Sequence, residues 1–315
     1  MKLFLSHQSA LEHWRIHRAT SYKAAQRRRM AVLPDRLPKT GIEVPKGYTL
    51  PLHVMLGNAN ARKRSKSMVQ HVYRGETPSG CFVFAESGIM VSSPEFCFLQ
   101  MANQLSLVKL IELGFELCGI YAMPASPGAE QPRESKYELP QLTSTMRIEA
   151  LLDRMPGTKG HQKAKRAIRY VQDGSASPME TKLAMLLTLP YKMGGYGLVM
   201  PELNGLVVPS KAARRSSSKS FYSCDLYWPE YDLAVEYDSN LFHTGPEHIA
   251  ADSQKRNSLA LLGITVVTVT SRQLQSSAEF KKIATILAGQ IGKRLQTSRC
   301  PGFAAAQRDL RSQLL

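Results

Sequence analysis

Two strand-like runs, Phe221–Trp228 and Leu233–Asp238, flank the tetrad Pro229-Glu230-Tyr231-Asp232, and no other stretch constrains the chain as tightly. Both arms are rich in aromatic and β-branched residues, and a Pro-containing tetrad between such arms is a turn signal. If the tetrad forms a four-residue loop, Trp228 faces Leu233, Leu226 faces Val235 and Asp225 faces Glu236. Like charges directly opposed destabilise a strand pair. A hard cation removes that conflict, because Mg²⁺ is held by one or two carboxylates.

The surroundings extend the acidic pair. Asp238 lies two residues beyond Glu236, so its side chain points to the same sheet face. Upstream, Ser177-Pro-Met-Glu180 opens a helix to Leu189 and puts Glu180 near its start. The same spacing fits a capping box, so Glu180 has a structural role open to it as well. Strand-like runs at Leu198–Met200 and Leu206–Val208 precede the hairpin; a helix over 246–262, a strand over 264–270 and a helix near 277–294 follow it. The order is helix, three strands, helix, strand, helix. Its 233–270 portion is a crossover that returns a parallel strand beside the second arm. The fold class expected is α/β, a mixed sheet with helices on its faces. Glu180, Asp225, Glu236 and Asp238 together suit one Mg²⁺, an oriented water and a phosphodiester transition state.

Charge points the same way. The chain has 315 residues, with 41 Lys+Arg against 25 Asp+Glu and a formal charge of +16. Such an excess favours polyanions through counterion release. The basic residues fall in separate clusters: Arg27–Arg29, Arg62–Arg64 with Lys66, Lys163 to Arg169, and Lys211 to Lys219. Any one is a solvated face; together they make DNA the expected partner. No stretch approaches the roughly 18 uncharged apolar residues of a membrane span, and Leu3-Phe4-Leu5 is too short for a secretory core. Five scattered cysteines, none in Cys-x-x-Cys spacing, argue against a disulfide framework and for a reducing cytoplasm.

The first half reads as α+β. A helix is expected over Ser6–Tyr22, strands at Leu52–Met55, Val69–Tyr73 and Cys81–Phe84, and a long apolar helix from the Ser92-Ser-Pro-Glu95 capping box to about Leu113. His7 and His13 read as surface or packing residues. Residues 122–140 look like a linker and 144–172 like a basic helical segment. The divisions expected are therefore 1–121, a 122–172 linker and basic segment, 173–296, and a peripheral tail over 297–315.

Asp225, then ten residues, then Glu236-Tyr-Asp238 resembles the core motif of the PD-(D/E)XK restriction-endonuclease-like superfamily. With His243, Asp252, Arg256 and Leu262-Gly263, the stretch 175–275 is similar to the branch related to very-short-patch-repair endonucleases. That resemblance implies a restriction-endonuclease-like αβββαβ core and Mg²⁺-dependent DNA cleavage, with Mn²⁺ as a substitute metal, in DNA repair or phage defence. It casts Asp225, Glu236 and Glu180 as metal ligands and Asp238 as a further acid. His243, Lys255 and Arg256 become candidates for proton transfer or charge neutralisation. Two positions depart from the pattern. Asp238 stands where the superfamily has its lysine, and Ser239 where the branch has glycine. Either the lysine has moved to the next helix, as Lys255 or Arg256, or the fold has kept binding and lost cleavage. Residues 1–120 resemble type IV abortive-infection antitoxin-like proteins through Ser6–Leu11, Ser93-Pro-Glu95 and Leu117-Cys-Gly119. This implies a winged-helix DNA binder, a toxin or defence-system partner, and, as the alternative to a nuclease, a non-catalytic DNA-binding regulator. A third class is an interaction protein whose basic faces meet an acidic protein.

Overall fold

The computed structural model describes residues 3–18, 28–29, 32–37, 48–62, 65–85, 88–124, 135–209, 220–238 and 246–315; of 28–29, 61 and 246–252 it describes the backbone alone. The chain is mixed α/β and divides into two compact units, Met1–Asp173 and Gly174–Leu315.

The first unit contains β1 (Leu3–Leu5), α1 (His7–Ile16), β2 (Arg28–Arg29), β3 (Leu52–Leu56), β4 (Met68–Val72), β5 (Phe82–Phe84), β6 (Ile89–Ser92), α2 (Pro94–Met101), α3 (Leu107–Cys118), α4 (Thr145–Arg154) and α5 (His161–Ile168). Its six described strands form one mixed sheet in the order β2-β5-β6-β1-β3-β4. The three apolar residues of β1 are all buried and lie between β6, in parallel, and β3, antiparallel. Helix α1 packs on this sheet through Trp14, whose indole N–H donates to the Ser92 carbonyl at 2.9 Å. Arg15 grips Glu116 of α3 with two hydrogen bonds of 2.8 and 2.7 Å. A bidentate pair of this kind fixes geometry as well as charge.

Several expectations are corrected here. The apolar stretch after Ser92 is two helices, because Ser106 starts a new one by accepting the Lys109 N–H at 3.2 Å. The cap of α2 is Ser93, which accepts from Phe96 N, while the Ser92 hydroxyl donates to the Leu5 carbonyl. Glu95 is fully buried and accepts from the Thr143 hydroxyl instead of closing a capping box. The basic helical segment expected over 144–172 forms α4 and α5, whose Ile148, Leu151, Leu152, Ala164 and Ile168 are buried in the first unit. The parallel pairs β1–β6 and β3–β4 need crossover connections and not hairpins. That sheet differs from the winged-helix expectation for residues 1–121.

The second unit contains α6 (Pro178–Thr188), β7 (Glu202–Val207), β8 (Tyr222–Trp228), β9 (Leu233–Asp238), α7 (Pro246–Leu261), β10 (Thr265–Thr270), α8 (Ser271–Gln275), α9 (Ser277–Gln290) and α10 (Phe303–Leu314). The sheet order is β10-β9-β8-β7. Hairpin β8–β9 has the expected register, Trp228↔Leu233 and Leu226↔Val235. The Pro229–Tyr231 turn ends on Asp232 in the left-handed region, with φ 44°. The crossover through α7 returns β10 parallel to β9, from Thr265↔Leu233 to Thr270↔Asp238.

Two further details differ from expectation. The runs 198–200 and 206–208 are replaced by the single strand 202–207. The tail contributes α10, with Phe303, Leu310 and Leu314 buried against the unit. Gly205 keeps β7 close to β8: a Cβ there would lie 2.7 Å from the Tyr227 Cβ. Gly205→Ala is therefore expected to destabilise the protein by about 1–3 kcal/mol through overpacking. An unchanged urea midpoint would contradict this reading of the contact. Among the described residues no helix is long and apolar enough to cross a membrane.

Candidate active site

Regular pairing stops short of Asp225 on the β9 side of its strand and skips it on the β7 side. On the β9 side the ladder ends at Leu226↔Val235. One step on, where Asp225 would oppose Glu236, its Oδ2 accepts the Tyr237 backbone N–H at 2.7 Å. On the β7 side the pairs Leu203↔Leu226 and Gly205↔Cys224 bracket Asn204, which has φ 51°. Asparagine is among the few residues that tolerate this left-handed region. Its side-chain amide donates to the Gly174 carbonyl at 2.9 Å and to Glu180 Oε2 at 3.0 Å.

Glu180 is thereby brought to the same place from α6. Ser177 caps that helix by accepting the Glu180 N–H at 3.1 Å, and Glu180 Oε2 also accepts from Ala176 N at 2.9 Å. The carboxylate thus holds the backbone just ahead of the cap and lies near Glu236 at once. Only 7% of Glu180 is exposed. Burial raises its pKa, hydrogen bonds from Ala176, Ser177 and Asn204 pull it down, and nearby Glu236 raises it again.

The cation of the cluster comes from α7. Lys255 Nζ donates to Glu236 Oε2 at 2.7 Å, with side chains 28% and 20% exposed. The other oxygen, Glu236 Oε1, is buried and has no hydrogen-bond partner among the described residues. Burial, then Glu180, then Glu236 push the Asp225 carboxyl up to about 7, against opposing effects of the Tyr237 N–H and Lys255. Burial disfavours the charged form of Lys255, but adjacent Glu236 and then Asp225 hold its pKa above the ordinary lysine value. The neighbouring Cys224 thiol is pushed up to about 12, by burial first and Glu236 next, and is an inert core group.

Asp225, Glu236, Glu180 and Lys255 therefore come together from β8, β9, α6 and α7. Asp238 ends β9 opposite Thr270, half-buried. Arg256 is exposed on α7, and of the two candidate cations it is Lys255 that reaches Glu236. His243 lies outside the described residues, as does the side chain of Asp252. Asn204 was missed by sequence reasoning, although an Asn-Gly pair inside an apolar strand pattern is a signal of special backbone geometry.

Among the described residues, no three or more His, Cys, Asp or Glu side chains are arranged to hold a metal ion. A pair of carboxylates is nonetheless a usual protein share for Mg²⁺, whose other positions are filled by water or substrate oxygen. The donor set fits that demand. Its candidate ligands are carboxylate oxygens, one of them has no hydrogen-bond partner among the described residues, and Asp225 carries an electrostatic load that a divalent cation would relieve.

No family model matches the chain, and no solved structure matches it. It is similar to two uncharacterized proteins of Mycobacterium tuberculosis, MT2308 and Rv2248, each 23% identical over 155 residues. The match covers 49% of this chain and 50% of each relative, so the chain spans about half the length of the curated relatives it matches.

Proposed function

We propose that the second unit is a metal-dependent DNA endonuclease that hydrolyses phosphodiester bonds. The observation that carries this reading is the Lys255–Glu236 pair at 2.7 Å beside Asp225. It supplies, from the helix after the hairpin, the cation that Asp238 cannot provide from the superfamily's usual lysine position. The order α6, β7, β8, β9, α7, β10 agrees with the αβββαβ core of the restriction-endonuclease-like superfamily and supports the reading. The net charge of +16 suits a polyanionic substrate.

Asp225 and Glu236 would hold Mg²⁺ or Mn²⁺, with Glu180 as a further ligand or a partner to its water; bound there, the ion supplies Lewis-acid activation of water and charge stabilisation. Lys255 keeps its proton beside two acids, so its role is to bind a phosphate oxygen and offset developing negative charge, and not to act as a base. Glu180, held by Ala176 N and Asn204, positions the attacking water. Asp238 extends the acidic face, while His243 and Arg256 are assigned to proton transfer and phosphate contact. Repair or phage defence, with a toxin or other defence-system partner, is the setting this proposal carries.

Supercoiled plasmid is the direct test. Nicking is expected with Mg²⁺ or Mn²⁺ and none with EDTA. Binding should weaken steeply with salt, by roughly 10³-fold or more between 50 and 200 mM if six or more phosphates are contacted. DNA that is shifted in a gel but never cut, under any metal, would replace the nuclease with the non-catalytic regulator. Neither binding nor cutting would favour an acidic protein partner.

A further inference from the structure

We propose that a cleft in the first unit, walled by His7 and His71, binds a small aromatic or heteroaromatic anion. The cleft has a volume of about 380 Å³, within the range of small-molecule sites and large enough for one or two rings. Its floor is apolar and buried, from Met55, Phe96 and Leu99. Its rim is polar, with Tyr73, Thr158 and the exposed Lys159, and among the described residues no Asp or Glu lines it.

The deep polar group is His7. Only 8% of it is exposed, and its φ of 47° places it in the left-handed region. Such a conformation persists only where the surroundings impose it. They do so here: Gln100 Oε1 accepts the His7 N–H at 2.9 Å, while Gln100 Nε2 is held by Ser92 Oγ at 3.0 Å. The His7 ring stacks on His71 at 3.6 Å between centroids, and His71 Nε2 in turn lies 3.1 Å from His53 Nδ1. His7 Nδ1 is 3.1 Å from Ser6 Oγ; Nε2 has no hydrogen-bond partner among the described residues.

The wall is thus a fixed stack of imidazoles, in which His7 Nε2 makes no hydrogen bond to a described residue. Burial first, then His71 and His53, lower His7 to about 3; burial first, then His53 and Arg62, lower His71 to about 4, so both rings are neutral at neutral pH. Lys159 is then the cationic side chain of the lining, and it sits at the mouth. A ligand that satisfies all of this has a flat apolar body against the floor, a polar ring atom toward His7 Nε2 and an anionic group outward at Lys159. A carboxylate or a nucleotide phosphate can supply that anion.

Calorimetric titration of the full chain with salicylate and with 5′-dAMP tests the proposal and separates the two sources. At least one is expected to bind saturably below about 10 mM, the range of weak unoptimised ligands. Uncharged salicylamide, Lys159→Glu and Gln104→Trp should each weaken binding about tenfold or more; Gln104 and Lys159 are exposed, so these variants keep the fold. Binding of salicylate alone names a carboxylate ligand, and of 5′-dAMP alone a nucleotide. Saturation by neither anion, salicylamide binding as tightly as salicylate, or wild-type binding by both variants would overturn it.

Discussion

Asp225→Asn is expected to make the metal-free protein more stable above pH 7 and to reduce cleavage at least about 10²-fold, the usual loss when a charge-stabilising group is removed. In the folded chain Asp225 is pushed up to about 7 from an ordinary value of 3.8. A carboxyl raised on folding favours the folded state fully below its unfolded pKa, and that advantage is lost as pH rises to the folded value. The window therefore runs from about pH 4 to about pH 7. A shift of this size corresponds to roughly 4 kcal/mol at most. Coupling to Glu180 and Glu236, and the partial exposure of Asp225, make about 2–4 kcal/mol the expected gain for the variant at pH 8. Asparagine keeps an acceptor for the Tyr237 N–H, so no backbone bond is sacrificed. Urea unfolding in EDTA at pH 4, 6 and 8 should show the two proteins nearly equal at the low end and diverging upward. Added Mg²⁺ should then stabilise the wild type by mass action and the variant little. A variant less stable than wild type at pH 8 would remove the electrostatic basis of the site.

A stability gain coupled to loss of activity is what separates a functional acid cluster from a structural one. In a structural ion-pair network, Asp225 would be compensated and its removal would cost stability. Here the compensation is incomplete, because one lysine faces three carboxylates and Glu236 Oε1 has no partner among the described residues. The Tyr237 N–H is the strongest local support that Asp225 receives, and it does not cancel burial beside two acids.

The parts of this arrangement that sequence reveals are the local ones. Alternation in two short arms and a proline between them specify the Trp228↔Leu233 register. Ser177-Pro-Met-Glu180 specifies a helix start, and with it the position of Glu180. Helix α7 and strand β10 follow from periodicity and from the crossover rule. What sequence hides is set by distant partners. Leu3–Leu5 is too short to read as a strand, and becomes one because Ile89–Val91 and Val54 flank it. Asn204-Gly205 has the chemistry of a turn, yet lies mid-strand because Gly205 admits Tyr227 and Asn204 reaches Glu180. Ala102–Leu105 has ordinary helix formers, so the break between α2 and α3 is visible only in the Ser106 cap. His7 reads alone as a surface or packing residue, since only the pairing of β3 with β4 beneath α1 stacks it on His71. The choice between Lys255 and Arg256 could not be made from spacing; the helix phase relative to β9 decides it.

Lys255→Met, which keeps the aliphatic stem and removes the ammonium, is expected to lower the nicking rate by about 10²–10³-fold. The same substitution leaves Glu236 without its cation and Asp225 without one of the two groups that lower its pKa. Breaking a fully buried pair costs about 3–5 kcal/mol. With side chains 28% and 20% exposed, solvent screens part of that loss, and about 1–2 kcal/mol at pH 8 is expected in EDTA. Mg²⁺ should narrow the difference, because a divalent ion at the carboxylates replaces the missing charge for stability. It should not restore the rate, because Lys255 is assigned to the substrate phosphate and not to the metal. Lys255→Arg keeps a fixed cation and should recover part of the activity, although a planar guanidinium does not reproduce the compact ammonium. Fold stability and cleavage are thus separable at this one position. Nicking by Lys255→Met within about twofold of wild type, at saturating Mg²⁺ and with the fold intact, would show that the lysine only neutralises Glu236 and that the catalytic assignment of α7 is wrong.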